Sequence, residues 1–226
     1  MEHYSRDDVR RRLGASSNEQ AKSTLTLRNQ LLQNFCLKRL NFSATNLAVV
    51  YAVLKDFNLI ATTYRRTEGQ ARSELRYLLE QISDPAALVD RTGISGVVVG
   101  KTTLRPTEAI KKLREILQER PYEFRFLLRV IPVEKVVLTD LEEIKSAVEE
   151  MSSEIAENET FRVTVEKRFT TTSSKDIIEA AAANVKRKVN LSNPDKILLI
   201  EVMGKLTGIC VAKPDEILSV LKEKVL

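Results

Sequence analysis

Lys167 and Arg168 close a β-branched run, five hydroxyl residues follow from Thr170 to Ser174, and Lys186, Arg187 and Lys188 stand further along the same stretch. Ammonium and guanidinium groups, hydroxyls and the free amides of a helix start are the groups that hold a phosphodiester backbone without reading its bases. In "FRVTVEKRF" the side chains alternate, so Phe161, Val163 and Val165 share a face with Lys167, while Arg162, Thr164, Glu166 and Arg168 take the other. Thr170, Ser173 and Ser174 then supply hydroxyls, and either serine can cap a helix whose exposed amides favour an anion. Lys186 to Lys188 are expected at the end of that helix, where cations also complement the helix dipole. The expectation is that these two clusters converge on one open groove. Arg65, Arg66, Arg125 and Arg129, at strand ends earlier in the chain, form a second set with the ordinary alternative of being solvated charge.

Other chemistries find less support. "SGVVVGKTT", Ser95 to Thr103, ends like a phosphate-cradling loop, but such a loop needs glycine five residues before Gly100, where Ser95 stands. Three consecutive valines favour an extended strand there. His3 is the single histidine, so a histidine-dependent triad or metal site has nothing to build on. Glu142, Glu143, Glu149, Glu150 and Glu154 fall at the spacing of a solvated helix face. Cys36 and Cys210 are far apart, with no CxxC partners, and read as inert apolar residues. No catalytic residue, metal or cofactor is expected.

The elements that must position the basic groups follow from periodicity. Residues 1–56 read as a helical extension, partly flexible, with one helix over Gln20 to Leu40 that presents Leu27, Leu31, Leu32 and Phe35. Residues 57–138 alternate strand and helix: "NLIATTYR", "GQARSELRYLLEQI", "ISGVVVGKTTL", "RPTEAIKKLREILQERP" and "FRFLLRVIPVEKVVL". That order predicts a small ferredoxin-like sheet, with Pro132 confining its last stretch to an edge or a bulge. Residues 139–226 restart with an acidic helix, the strand ending at Arg168, a helix from Ser174 to about Lys188, a hairpin turning at Gly204, and a last short helix. The fold class is α/β, of the α+β kind.

Net charge is +5 in 226 residues, a modest excess whose distribution matters more than its size. Asp140 to Glu159 holds eight acids and one lysine, whereas Thr160 to Asn190 holds seven bases and three acids. With 43% hydrophobic and 30% charged residues the chain is built for a packed core, and with no apolar run of membrane-spanning length it is expected in the cytoplasm, away from membranes.

The order of elements from Asp140 onward, with "FRVTVEKRF", "SSKDIIEAAAANV", "VNLSNPDKILLIEVMG" and "GICVAK", resembles the THUMP domain of tRNA-modifying enzymes. Residues 57–138 are similar to the ferredoxin-like domain that precedes THUMP. The resemblance implies tRNA binding at the acceptor-stem end by the basic stretch. Three catalytic signatures of such proteins are missing: a Gly-rich methyltransferase loop with Asn-Pro-Pro, the pyrophosphatase-type loop of thiouridine synthetases, and deaminase zinc ligands. The chain therefore resembles the stand-alone THUMP adaptors, which implies a non-enzyme that serves a separate acetyltransferase making N4-acetylcytidine in tRNA. Two other readings stay open: a nucleotide-dependent RNA-modifying enzyme working through Gly100 to Thr102, and a protein–protein module built on the acidic helix and the N-terminal extension.

Overall fold

A computed structural model describes residues 56–224. The helix expected over Gln20 to Leu40, the extension 1–56 but for its last residue, His3 and Cys36 lie outside the described residues. What is described forms two five-stranded sheets, each with helices on its outer face.

The first sheet contains β1 (Leu59–Thr63), β2 (Leu88–Arg91), β3 (Val97–Lys101) and β4 (Leu127–Pro132), with α1 (Glu68–Gln81) and α2 (Pro106–Glu119) as crossovers. The chain order βαββαβ and the antiparallel spatial order β4-β1-β3-β2 are the ferredoxin-like arrangement read from the sequence. Ala71, Leu75, Leu78 and Leu79 return every three or four residues along α1 and are all buried on the sheet, against Leu59 and Ala61 of β1. Pro106 sits in the first turn of α2, where a missing N–H costs nothing, and the helix ends before Pro121. Asp84, buried after α1, accepts from the Thr102 hydroxyl, the Thr103 hydroxyl at 2.6 Å and the Thr103 N–H at 3.0 Å. Asp84→Ala orphans all three donors and should cost about 3 kcal/mol, read from the urea midpoint.

The second sheet has the order β5-β9-β8-β6-β7, built from β5 (Lys135–Leu138), β6 (Thr160–Arg168), β7 (Lys188–Val189), β8 (Lys196–Met203) and β9 (Leu206–Ala212). Its outer face packs on α3 (Leu141–Met151) and α4 (Ser174–Ala182). Asp140 caps α3 by accepting from the amides of Glu142 and Glu143. The β8–β9 hairpin turns through Gly204 and Lys205, with φ of 66° at Gly204, as the tight turn requires. The inner faces of the two sheets meet in a third apolar cluster, where Ile60, Val99 and Ile131 pack with Leu199, Met203 and Cys210.

Hydrogen bonding crosses the expected 138/139 boundary in both directions. β5, which precedes it, pairs with β9 in the second sheet. β10 (Leu218–Ser219) and the short α5 (Val220–Glu223) lie beyond the second sheet in sequence, yet β10 adds to β4 of the first. Pro132 closes β4 past the two residues that β10 covers, so its missing donor removes no ladder bond on that side.

The helix after β6 ends sooner than expected. α4 stops at Ala182, and Lys188 and Val189 instead pair in parallel with Thr160 and Phe161. Tertiary bonds hold the chain away from another helical turn: the Asn184 amide donates to Glu149 at 2.7 Å and Arg187 Nε to the Ile155 carbonyl at 2.8 Å.

Candidate nucleic-acid interface

The end of β6 is the centre of the basic stretch. Lys167 is exposed and its ammonium donates to the Thr172 carbonyl at 2.9 Å, which pins the following loop beneath it. The Thr170 hydroxyl accepts from the Thr172 N–H and donates to the Thr172 hydroxyl, both at 3.2 Å, a local turn typical of hydroxyl residues. Of the two serines, Ser173 is the cap, accepting from the Lys175 N–H at 3.2 Å, and Ser174 begins α4. Asp176 lies in that first helical turn and already supplies negative charge to the helix start.

Arg168 is differently employed. It donates to Glu201 at 2.9 Å, and the Glu201 side chain is only 2% exposed. Glu201 belongs to β8 on the side that faces the first sheet, alongside Leu199 and Met203. Burial pushes its carboxyl above the ordinary range, while the guanidinium of Arg168 and, less strongly, that of Arg129 pull it back. One buried carboxylate thus pairs with Arg168 of β6 and also feels the positive charge of Arg129 of β4.

Arg65, Arg66 and Arg125 share the neighbouring end of the first sheet, because Thr63 at the end of β1 faces Leu127 at the start of β4. All three are exposed. Arg66 adopts φ of 70°, and Glu68 fastens the turn by accepting from the Arg66 N–H at 3.2 Å and the Gly96 N–H at 2.6 Å. The bond from Gly96 is the main reason that the Glu68 carboxyl lies below its ordinary range. Glu74 accepts from the amides of Arg125, Phe126 and Leu127 at 2.9 to 3.0 Å, fixing the approach to β4.

Lys186, Arg187 and Lys188 do not join this group. Lys188 stands opposite Thr160, eight residues before Arg168, so the two clusters are separated by roughly 26 Å along the strand. The expected single groove of β6 end and helix end is therefore replaced by two patches at opposite ends of β6. Within the second patch Arg187 is tied to the Ile155 and Lys186 carbonyls, while Lys186 and Lys188 are exposed.

The P-loop-like segment is a strand whose donors are already satisfied by carboxylates. Val97 to Lys101 is β3; Glu68 holds the Gly96 amide, Asp56 pairs with Lys101 at 2.7 Å, and Asp84 takes the hydroxyls of Thr102 and Thr103. A phosphate placed there would meet three acids. Cys210 is buried and its thiol is pushed far upward by that burial, consistent with an inert core residue. Among the described residues no group of three His, Cys, Asp or Glu side chains could hold a metal ion, and no helix is long and apolar enough to cross a membrane.

"NPD" proves to be structural. Asp195 accepts from the Thr160 N–H at 2.8 Å and hydroxyl at 2.7 Å, tying the start of β8 to the start of β6. Phe169 was not among the expected residues, yet it is 75% exposed directly after Arg168. The basic-basic-aromatic order Lys167-Arg168-Phe169 was the signal for it.

The THUMP domain model matches residues 139–212, and the chain carries that domain there. No curated protein matches the sequence. Among solved structures, PH1313 from Pyrococcus horikoshii Ot3 is similar at 20% identity and a TM-score of 0.53, over 70% of this chain and 55% of that one. A predicted N6-adenine-specific DNA methylase from Listeria monocytogenes matches at 15% identity and a TM-score of 0.44, over 72% of this chain and 42% of its own. A 4-thiouridine synthetase in complex with RNA and ATP matches at 14% identity and a TM-score of 0.42, over 73% and 42%. The chain thus spans between 42% and 55% of the length of these structures. The expectation of a non-enzyme is corrected here, because it rested on absent signatures in a chain that spans 55% or less of these structures. Three missing signatures tell which catalytic modules these residues do not form, and nothing more.

Proposed function

We propose that this chain binds tRNA through the basic end of its two sheets and presents it to a tRNA-modifying active centre. The observation that carries the reading is the end of β6 in the THUMP domain, where exposed Lys167 overhangs the hydroxyl turn of Thr170 to Ser174. Arg65, Arg66, Arg125 and Arg129 extend that surface on the first sheet. Lys186 and Lys188 form a second patch with Arg187 behind it, which a ligand of polynucleotide length reaches together with the first. The acceptor-stem end of tRNA and cytidine N4-acetylation, performed by an acetyltransferase centre, are the ligand and reaction that the sequence resemblance favours.

Phosphate contacts release counterions, so each lost contact reduces the slope of log affinity against log salt by about one. Lys167→Ala should flatten the slope for tRNA by about that amount, measured by filter binding across a salt series. An unchanged slope would remove the β6 end from the interface. For the modification, N4-acetylcytidine counted in tRNA from cells carrying Lys167→Ala should fall; parental levels would separate tRNA binding from that reaction.

A further inference from the structure

We infer that Phe169 is a stacking platform for an unpaired nucleobase at the edge of the basic interface, an assignment that rests on the RNA-binding reading above. Phe169 is the most exposed of the large hydrophobic side chains among the described residues, at 75%. Its φ of 56° lies in the left-handed region that bulky residues avoid and that glycine or asparagine occupies with ease. Neither burial nor backbone preference accounts for a phenylalanine there.

The turn that carries it is fixed from both sides. Before it, the Arg168 carbonyl accepts from the Gly204 N–H of the neighbouring hairpin at 2.8 Å. After it, the Thr170–Thr172 turn and the bond from Lys167 to the Thr172 carbonyl hold the chain. The ring is thus presented outward on a turn held at both ends, with Lys167 two residues before it and the hydroxyl of Thr170 on the residue after it. Cations and hydroxyls grip a phosphate backbone, whereas an exposed ring beside them offers what they lack, a face for a base. Bases paired inside a duplex are already stacked, so the ring selects a nucleotide that is unpaired.

The experiment compares two RNA hairpins of the same stem, one blunt and one with a short single-stranded 3′ tail. Phe169→Asn, which suits the left-handed backbone, should weaken the tailed hairpin about tenfold and leave the blunt one unchanged. Its salt slope should stay at the parental value, its melting temperature should not fall, and Phe169→Trp should retain parental binding. Equal binding of the tailed hairpin by Phe169→Asn and the parent overturns the assignment while leaving the interface standing. Equal losses on both hairpins overturn it as well, since the ring would then act on the turn and not on a base. A parent that binds neither hairpin removes the interface itself, and a partner protein captured through Phe169 without RNA would replace a nucleobase as the ring's occupant.

Discussion

Arg168→Ala should lower stability by about 3 kcal/mol at neutral pH, and much of that loss should return when Glu201→Gln is added. The reason is the asymmetry of a buried pair: truncating Arg168 leaves the Glu201 carboxylate, 2% exposed, without its hydrogen-bonding partner. Arg129 remains as the weaker neighbour and offsets only part of the loss. The pH dependence has a definite sign. Burial raises the folded-state pKa of Glu201 above its ordinary value, so its contribution is fully present below the unfolded value and is lost as pH rises through the folded one. Removing the arginine raises that pKa further, so the penalty should shrink toward about pH 3, below the ordinary carboxyl value, where the group is protonated in both the folded and the unfolded state. Urea unfolding of parent, single and double variants at the two pH values reads all of this. A penalty independent of pH would show that Arg168 acts through packing alone. The same comparison protects the RNA measurements, because only the double variant removes the guanidinium without stranding a buried charge.

Leu218→Ala should destabilise the protein by about 3 kcal/mol, although Leu218 lies beyond the THUMP match. Leu218 is wholly buried in the core between the first sheet and its helices, and β10 covers β4 opposite Arg129 and Val130. Arg114 of α2 reaches across to Glu223 at 2.7 Å and to the Ile217 carbonyl at 3.0 Å, so the segment is held by its charges as well as by its leucine. A chain ending before Ile217 would leave that core open and should lose cooperative unfolding. Calorimetry on Leu218→Ala, with the adjacent exposed Leu221→Ala as a control expected to change little, decides the matter.

Local signals were legible in the sequence where one element buried one face. Ala71 to Leu79 marked α1, Pro106 its successor, and Gly204 the hairpin, since each depends on neighbours only a few residues away. Non-local pairing was not legible. Lys186 to Lys188 looked like a helix end because cations suit helix ends, but a two-residue parallel strand carries no periodicity to betray it. The exchange of β5 and β10 between sheets is likewise set by which edges are free, which no short window contains. At the end of β6, Lys167 and the cap Ser173 stand at the strand end and helix start read from the sequence, whereas Arg168 is claimed by an acid on another strand. Glu201 within the apolar run "KILLIEV" was the clue, because a carboxylate in a buried strand needs a cation.

Two sheets that each lend a strand to the other cannot hinge like beads on a string. A body of this kind would work as a ruler for the proposed interface: if a nucleotide is gripped at the β6 end, the distance from there to a reactive centre fastened elsewhere on the body is set by the fold. Choice among positions along an RNA could then arise from length alone, with no base read at the place of reaction.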